Sequence, residues 1–342
     1  MKHISKFLIF LLSLTIVNSN LEAERNKYQS NLEYKTKENT NTNYQNKNLA
    51  SAKKLKNTIS PQIKVNTDDY DLNCIAKTLA SLSFIKTYSK EITEKSIVVI
   101  IPSYNNIKWY EKNLDMVAAQ SETYTNWRAI YIDDCSKDGT GDAVEKYITD
   151  HNLGNKITLI KNSENHGAMC NLYNVINSCK DNEIIVTLDG DDWFPNNNVL
   201  FFINQVYKDE NIWITYGQYI KYPNREIGHC EEIPYSVIEK NTFRSYKWVS
   251  SHLRTFYAGL FKKIKKEDLM KNGTFYSVAW DLAMIFPMLE MAGKHSKFID
   301  QVLYVYNCTN PISDCVKNSK LVVNSDHEIR AKQKYRKIDS LN

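Results

Sequence analysis

The sequence predicts an α/β fold built on a doubly wound, mostly parallel sheet with helices on both faces. Two observations predict it. Four short apolar runs rich in β-branched residues begin at residue 97, and their starts lie 32, 28 and 27 residues apart. That spacing is close to the roughly 30 residues of a βαβ unit. Between the runs, apolar residues recur with helical periodicity.

The four apolar runs are the predicted strands, and the segments between them are the predicted helices. The strands are Ile97–Ile101, Ala129–Ile132, Ile157–Ile160 and Ile184–Leu188. The helices cover residues 110–118, 143–148 and 172–176. Continuous apolar runs are typical of parallel strands that are buried on both faces. In such sheets ligands bind at the carboxyl ends of the strands, so the residues that follow each strand form the candidate site.

The regions outside this core differ from it in composition. Basic residues precede the apolar run Phe7–Val17. This run is shorter than a membrane span, which needs about 20 apolar residues. Residues 1–23 are therefore predicted to form a signal peptide or, alternatively, an uncleaved anchor. Residues 24–68 contain only six Leu, Ile or Val, which predicts a disordered linker. Residues 69–95 have a helical pattern and predict an extension of the main domain.

The main domain is expected to cover residues 96–320, followed by a charged C-terminal tail at 321–342, of which residues 325–342 are expected to fray. The whole chain has 342 residues, with 44 basic and 39 acidic side chains, and this near balance argues against a dedicated nucleic-acid binder. Seven cysteines without a CxxC pair argue against a zinc ribbon. The absence of GxGxxG and GxxxxGK[ST] disfavours a dinucleotide-binding fold and a P-loop.

The end of the fourth predicted strand carries three carboxylates within four residues. They are Asp189, Asp191 and Asp192. Clustered negative charges repel one another unless a cation neutralises them, and carboxylate oxygens suit Mg²⁺ or Mn²⁺. The alternative is an acidic surface turn. The position after a buried strand favours the metal site.

Polar groups also follow the first two strands. Pro102, Tyr104 and Asn105 follow the first strand, and Tyr104 offers an aromatic face for a nucleobase or, alternatively, packs at the sheet edge. Asp133 and Asp134 close the second strand, where a carboxylate can accept a hydrogen bond from a base N–H. The alternative there is turn and helix-capping chemistry.

Together these motifs resemble glycosyltransferase family 2, with its nucleotide-diphospho-sugar transferase (GT-A, Rossmann-like) fold, over about residues 96–310. The matching stretches are VVIIPSYNN (98–106), IDDCSKDGT (132–140), the Asn165-x-Gly167 turn and LDGDDWFP (188–195). The resemblance implies that Pro102, Tyr104 and Asp134, with Asn105 and Asp133 beside them, bind the base of a nucleotide-sugar donor, typically UDP. It implies that Asp191 and Asp192, with Asp189, bind the ribose and a divalent metal.

The family also has a late acidic residue as catalytic base, and the best match is Asp281 at the start of a helix. We expect its carboxylate to be partly buried against Trp280. The family's usual Glu-Asp pair falls over Val278 and Ala279, which is one departure from the pattern; Glu290 and Asp300 are the next carboxylates to consider.

A second departure follows Gly167, where many relatives have an arginine and this chain has none. Arg254 is the predicted replacement in binding the donor diphosphate, with His252 as the alternative. Asn310 and Asp314, in a late loop, are possible additional metal ligands.

The resemblance therefore implies an inverting, metal-dependent transfer of a sugar to a hydroxyl of a glycan, protein or lipid acceptor. Three alternatives remain: a glycosidase, a sugar nucleotidyltransferase and a non-catalytic sugar-nucleotide or glycan-binding module. No nucleic-acid partner is expected. Contact with a membrane is expected only if the N-terminal segment remains uncleaved. The N-terminus favours a secretory, lumenal location, where Asn272 and Asn307 are glycosylation sequons and some cysteines could pair.

Overall fold

The computed structural model describes residues 94–311 and 319–341. The predicted signal peptide or anchor, the linker and nearly all of the helical extension lie outside these residues, as does Asp314. Within the two described ranges, none of the helices combines the length and the apolar character needed to cross a bilayer.

Strands and helices alternate through the first half of the described chain. The strands are β1 (Ile97–Ser103), β2 (Trp127–Asp133), β3 (Ile157–Lys161), β4 (Ile184–Thr187), β5 (Ile214–Tyr222), β6 (Arg254–Tyr257), β7 (Met270–Lys271), β8 (Thr274–Phe275) and β9 (Ser296–Asn307). The α-helices are α1 (Tyr110–Ala118), α2 (Thr140–Asp150), α3 (Ala168–Ser178), α4 (Val199–Val206), α5 (Tyr235–Lys240), α6 (Ala258–Phe261), α7 (Trp280–Ala292) and α8 (Ser319–Ala331). Short 3₁₀ turns cover Ala119–Glu122, Phe243–Ser245, Lys266–Leu269 and Gly293–His295.

Seven of these strands form one sheet in the order β3-β2-β1-β4-β6-β5-β9, and β7 and β8 form a separate hairpin. Strands β1 to β4 pair in parallel, which confirms the predicted fold class. Strand β6 runs antiparallel to both of its neighbours, and β9 is parallel to β5. Every residue of β1 is buried, as a central parallel strand requires. The edge strand β3 is less buried, and its Ile160 is 36% exposed.

The chain passes from β1 to β2 and β3 on one side of β1, and it then crosses over to β4 on the other side. This is the switch point at which open α/β sheets form a crevice beyond the carboxyl ends of their strands. The loops after β1, β2 and β4 therefore meet at one edge, where the sequence places its polar groups.

The C-terminal region departs from the prediction of a frayed tail. Residues 319–331 form α8, and Ile329 is 1% exposed. A buried ion pair between Arg244 and Glu290 holds this region, because Arg244 Nη1 also donates to the Ile329 carbonyl and the Tyr335 N–H donates to Glu290. The high charge of the segment suggests solvent exposure, but Arg330 donates to the carbonyls of Arg244 and Tyr246, and Lys332 donates to that of Met270.

Candidate active site

A cleft of about 860 Å³ opens at the carboxyl ends of β1, β2 and β4. It brings together most of the residues predicted from the sequence. Those that line it are Pro102, Tyr104, Asp134, Asp189, Asp191, Asp192, Arg254 and Asp281. The predicted donor-binding residues Asn105 and Asp133 do not line it.

Asn105 joins two loops instead. Its N–H donates to Ser136 Oγ at 2.8 Å, and its Oδ1 accepts a hydrogen bond from the Lys137 N–H at 2.8 Å. The backbone of Asn105 has φ = 53°, a left-handed conformation that asparagine tolerates. The loops after β1 and β2 are thereby fixed to each other, and Tyr104, which is 39% exposed, is presented at the cleft.

Asp133 lies beneath the first turn of α2. It is 5% exposed, and a Cβ at Gly141 would stand 2.7 Å from its Oδ2. A carboxylate at this place is stabilised by the positive end of the helix dipole. Asp133 therefore fits the alternative interpretation, in which it stabilises the turn and the start of the helix. Of the two adjacent aspartates, only Asp134 reaches the cleft.

Asp134 organises the loop before α3. It accepts hydrogen bonds from Asn162 Nδ2 at 2.7 Å, the His166 N–H at 3.0 Å and the Gly167 N–H at 2.8 Å. Burial opposes ionisation of Asp134, but these hydrogen bonds outweigh it and lower the pKa of the carboxyl group. Gly167 has φ = 80°, so a side chain there would be strained.

The carboxylates of the acidic turn after β4 have different surroundings. Asp192 is 1% exposed, and its two oxygens accept hydrogen bonds from Tyr304 Oη at 2.6 Å and from the Asn307 N–H at 2.7 Å, both on β9. Burial and the nearby charges of Asp191 and Asp189 raise the pKa of Asp192 well above its usual value. The structure thus uses Asp192, a predicted metal ligand, to anchor the turn to β9. Asp189 and Asp191 are half-buried in the cleft.

The remaining carboxylates fit a divalent cation with few protein ligands. Burial raises the pKa of Asp191, which a neighbouring cation would oppose. Asn310 Nδ2 donates to Asp191 Oδ2 at 2.7 Å, which connects the late loop to the turn. In the described part of the chain, no three His, Cys, Asp or Glu side chains form a preassembled metal cage. A metal held by Asp189 and Asp191 would complete its coordination with water and substrate phosphates, as Mg²⁺ sites commonly do.

Asp281 and Arg254 form an ion pair in the cleft. Asp281 lies in the first turn of α7, and Arg254 Nη2 donates to its Oδ2 at 3.0 Å. The side chains are 2% exposed for Arg254 and 21% exposed for Asp281. The Arg254 guanidinium lies 5.5 Å from the centre of the Trp280 ring. The predicted base and the predicted phosphate ligand therefore neutralise each other.

His252 packs behind this pair. Its Nε2 lies 3.5 Å from Arg254 Nη2, and its ring stacks on Tyr304 at 4.3 Å between centroids. Burial, with the charges of Arg254 and His229, lowers the pKa of His252 well below its usual value. A neutral imidazole cannot supply the positive charge, so Arg254 is the cation of this part of the cleft.

The other carboxylates considered as bases lie elsewhere. Glu290 is fully buried, and its oxygens accept from Arg244 Nε at 2.7 Å and from Arg244 Nη2 at 2.9 Å. Asp300 is exposed on β9 and does not line the cleft. Asp281 is therefore the carboxylate among these three that reaches the cleft.

The sequence reasoning missed part of the cleft wall. Trp248 and four residues of α8 line the cleft; those on α8 are Val322, Val323, Asp326 and Arg330. The helical spacing of Val322, Ser325 and Ile329 was the available signal, but the charged surroundings obscured it. Cys135, Cys170, Cys179 and Cys230 are free thiols.

Comparison with known proteins identifies the family of this chain. The family model described as glycosyl transferase family 2 matches residues 98–269, which is half of the chain. Glycosyltransferase GlyG of Streptococcus pneumoniae is 25% identical over 224 residues, covering 61% of this chain and 70% of GlyG.

Poly(ribitol-phosphate) β-N-acetylglucosaminyltransferase TarS of Staphylococcus aureus is 33% identical over 95 residues, which cover 28% of this chain and only 16% of TarS. Among solved structures, the mannosyltransferase PcManGT of Pyrobaculum calidifontis, in complex with GDP-Man and Mn²⁺, has a TM-score of 0.49 at 18% identity. That match covers 75% of this chain and 73% of PcManGT.

Proposed function

This chain belongs to glycosyltransferase family 2, and we propose that it transfers a sugar from a UDP-sugar to an acceptor hydroxyl with inversion and with a divalent metal. One observation supports this most strongly. A single cleft contains an aromatic face at Tyr104, two metal-competent carboxylates at Asp189 and Asp191, and a separate carboxylate at Asp281. These are the groups that base binding, diphosphate binding and proton acceptance require.

The donor would lie along the loops that follow β1, β2 and β4. Tyr104 would stack on the base, while Asp134 keeps the loop before α3 in place through its hydrogen bonds. Asp189 and Asp191 would hold Mn²⁺ or Mg²⁺ against the diphosphate. When bound, such a cation stabilises the negative charge that develops on the diphosphate leaving group.

Asp281 would act on the acceptor. As the acceptor oxygen forms its bond to the anomeric carbon, the carbon–oxygen bond to the diphosphate breaks, and Asp281 accepts the proton of the hydroxyl. Arg254 orients the Asp281 carboxylate through the 3.0 Å hydrogen bond. Attack on the face opposite the diphosphate inverts the anomeric carbon without a covalent intermediate.

Metal-dependent UDP binding tests the donor site. We expect Mn²⁺ to increase the UDP affinity of the wild type at least about tenfold over EDTA, because direct cation–phosphate contact replaces charge repulsion. Asp191→Asn should lose this increase. Asp300→Asn, which alters an exposed carboxylate outside the cleft, should keep it. Equal affinities in Mn²⁺ and EDTA would contradict the metal assignment.

We also propose a lumenal location in a secretory pathway, which rests on the sequence of residues 1–23. Of the two sequons, Asn307 is 1% exposed and bonds to the acidic turn, whereas Asn272 is exposed between β7 and β8. Expression of the full chain in a eukaryotic cell should therefore give a glycosidase-sensitive mass shift that Asn272→Gln abolishes. An unglycosylated wild-type chain would count against a lumenal location.

A further inference from the structure

The cleft continues past Asp281 to a wall formed by α8 and Trp248. The ring of Phe286, on α7, lies 5.3 Å from the Trp248 ring and 4.9 Å from the Arg330 guanidinium. Phe286 follows Asp281 by five residues, which is about 7.5 Å along the helix axis. The proposed donor residues follow β1, β2 and β4, so different elements of the chain supply the two parts of the cleft lining.

Helix α8 is firmly attached to the domain. Arg330 Nη1 donates to the carbonyls of Arg244 and Tyr246, each at 2.7 Å, and Arg244 Nη1 donates to the Ile329 carbonyl at 2.5 Å. Ser325 and Ile329 are both buried. The helix is therefore a fixed wall of the cleft.

The buried face of α8 extends into the cleft as an apolar surface. Val322 lies three residues before Ser325 and seven before Ile329, so it shares their face, and it is half-buried. Its neighbour Val323 lines the cleft and is 53% exposed. With Trp248 and Trp280, these side chains form an apolar and aromatic surface beside the proposed base.

The charges of this region are already paired. Arg330 Nε lies 2.8 Å from Asp326 Oδ1, and Arg254 Nη2 lies 3.0 Å from Asp281 Oδ2. Among the described residues that line the cleft there is no lysine, and both arginines bond to carboxylates. A phosphate or sulfate group on an acceptor would meet only arginines whose charge a carboxylate already neutralises, which weakens the attraction for an anion.

We propose that Trp248, Trp280 and the Val322–Val323 edge of α8 form an acceptor subsite for an uncharged saccharide ring. An apolar surface with a few polar groups is typical of small-molecule sites. The C–H face of a pyranose ring would pack on the aromatic and valine side chains, and its hydroxyls would meet Asp326 and solvent. This inference rests on the proposed function, because it assigns the acceptor of the same cleft.

Direct binding tests the subsite without requiring turnover. The full chain, with and without UDP and Mn²⁺, is titrated with maltotriose, cellotriose and N,N′,N″-triacetylchitotriose, and with phosphorylated maltotriose as the anionic probe. Binding is followed by saturation-transfer NMR. We expect at least one neutral trisaccharide to bind, and to bind more tightly than the phosphorylated one.

Variants locate the bound sugar. Trp248→Ala and Val323→Asp should each weaken trisaccharide binding about tenfold or more, because the first removes the aromatic surface and the second places a charge on it. Asn324→Asp adds the same charge at an adjacent exposed position that does not line the cleft, and it should bind as the wild type does. Val323 is half exposed, so its substitution tests the subsite even if Trp248→Ala fails to fold.

The outcomes separate this inference from the proposed function. Tighter binding of the anionic probe, no binding of any neutral trisaccharide, or equal binding in wild type and Val323→Asp would overturn the acceptor subsite while leaving donor binding intact. Failure to bind UDP, with trisaccharide binding retained and sensitive to Val323→Asp, would overturn the donor assignment but support the saccharide subsite.

Discussion

Replacement of Asp281 by asparagine separates donor binding from transfer. Asp281→Asn keeps the shape of the side chain but removes the proposed proton acceptor, so turnover should fall about a hundredfold or more. UDP should bind no more weakly than to the wild type, because loss of the carboxylate charge leaves Arg254 as an unneutralised cation in the cleft. Loss of turnover with retained UDP affinity is therefore the expected result.

The same change has a stability cost that the ion pair determines. Breaking a fully buried pair costs about 3–5 kcal/mol, and an exposed pair contributes about 0–1 kcal/mol. Arg254 is 2% exposed but Asp281 is 21% exposed, and the asparagine oxygen can still accept one hydrogen bond. We expect the free energy of unfolding to fall by roughly 1–3 kcal/mol, between these limits.

The control is a carboxylate-to-amide change in an exposed pair. Glu231 pairs with Lys247, and both side chains are more than half exposed, at 54% and 55%. Glu231→Gln should change the unfolding free energy by less than about 1 kcal/mol and leave turnover unaltered. The assays are acceptor-dependent UDP release, UDP titration and urea unfolding. If Asp281→Asn turns over at close to the wild-type rate, the reasoning is refuted.

Three further substitutions test the surroundings of the cleft. The folded chain excludes a proton from His252 that the unfolded chain binds, so the free energy of unfolding should fall as the pH drops through about 6.5. His252→Phe should therefore reduce the fall of the melting temperature between about pH 7.5 and 5.5. Parallel plots of melting temperature against pH for the variant and the wild type would contradict this. A Cβ at Gly190 would stand 2.6 Å from Ser103, so Gly190→Ala should cost about 1–3 kcal/mol in chemical denaturation, whereas Gly154→Ala, with no atom within 4 Å, should cost less than half as much. Asp192→Asn should lower the unfolding free energy in EDTA as well as in Mn²⁺, because its carboxylate bonds to β9; a loss seen only in Mn²⁺ would assign it to the metal instead.

The parallel half of the sheet could be predicted because its central strands, β1 and β4, are buried on both faces. Ile97–Ile101 and Ile184–Leu188 are continuous apolar runs, and the structure has β1 and β4 at these places. Strand β6 is only four residues long and begins with Arg254, which makes it unlike a buried strand in sequence. So short a segment becomes a strand because it pairs with β4 on one side and β5 on the other. The local periodicity of the sequence does not encode these long-range pairings.

The direction of each side chain could not be predicted from the motifs. Asp191 and Asp192 are adjacent, chemically identical and both at the cleft, yet Asp191 is half-buried there whereas both oxygens of Asp192 bond to β9. Their roles differ because Tyr304 and Asn307, more than a hundred residues later in the chain, donate to Asp192 alone. Sequence spacing fixes where the carboxylates occur, but these long-range hydrogen bonds decide which of them can meet a ligand.

The same strand connects the two ends of the proposed chemistry. Tyr304 of β9 donates from its hydroxyl to Asp192 and accepts from the Asp189 N–H, so it holds the acidic turn. The ring of Tyr304 stacks on His252, which in turn lies against the Arg254 guanidinium that binds Asp281. The position of the metal-competent carboxylates is thereby tied to that of the proposed base through packed and bonded groups. An inverting transfer needs these two groups on opposite sides of one sugar, so a shared support of this kind preserves their separation.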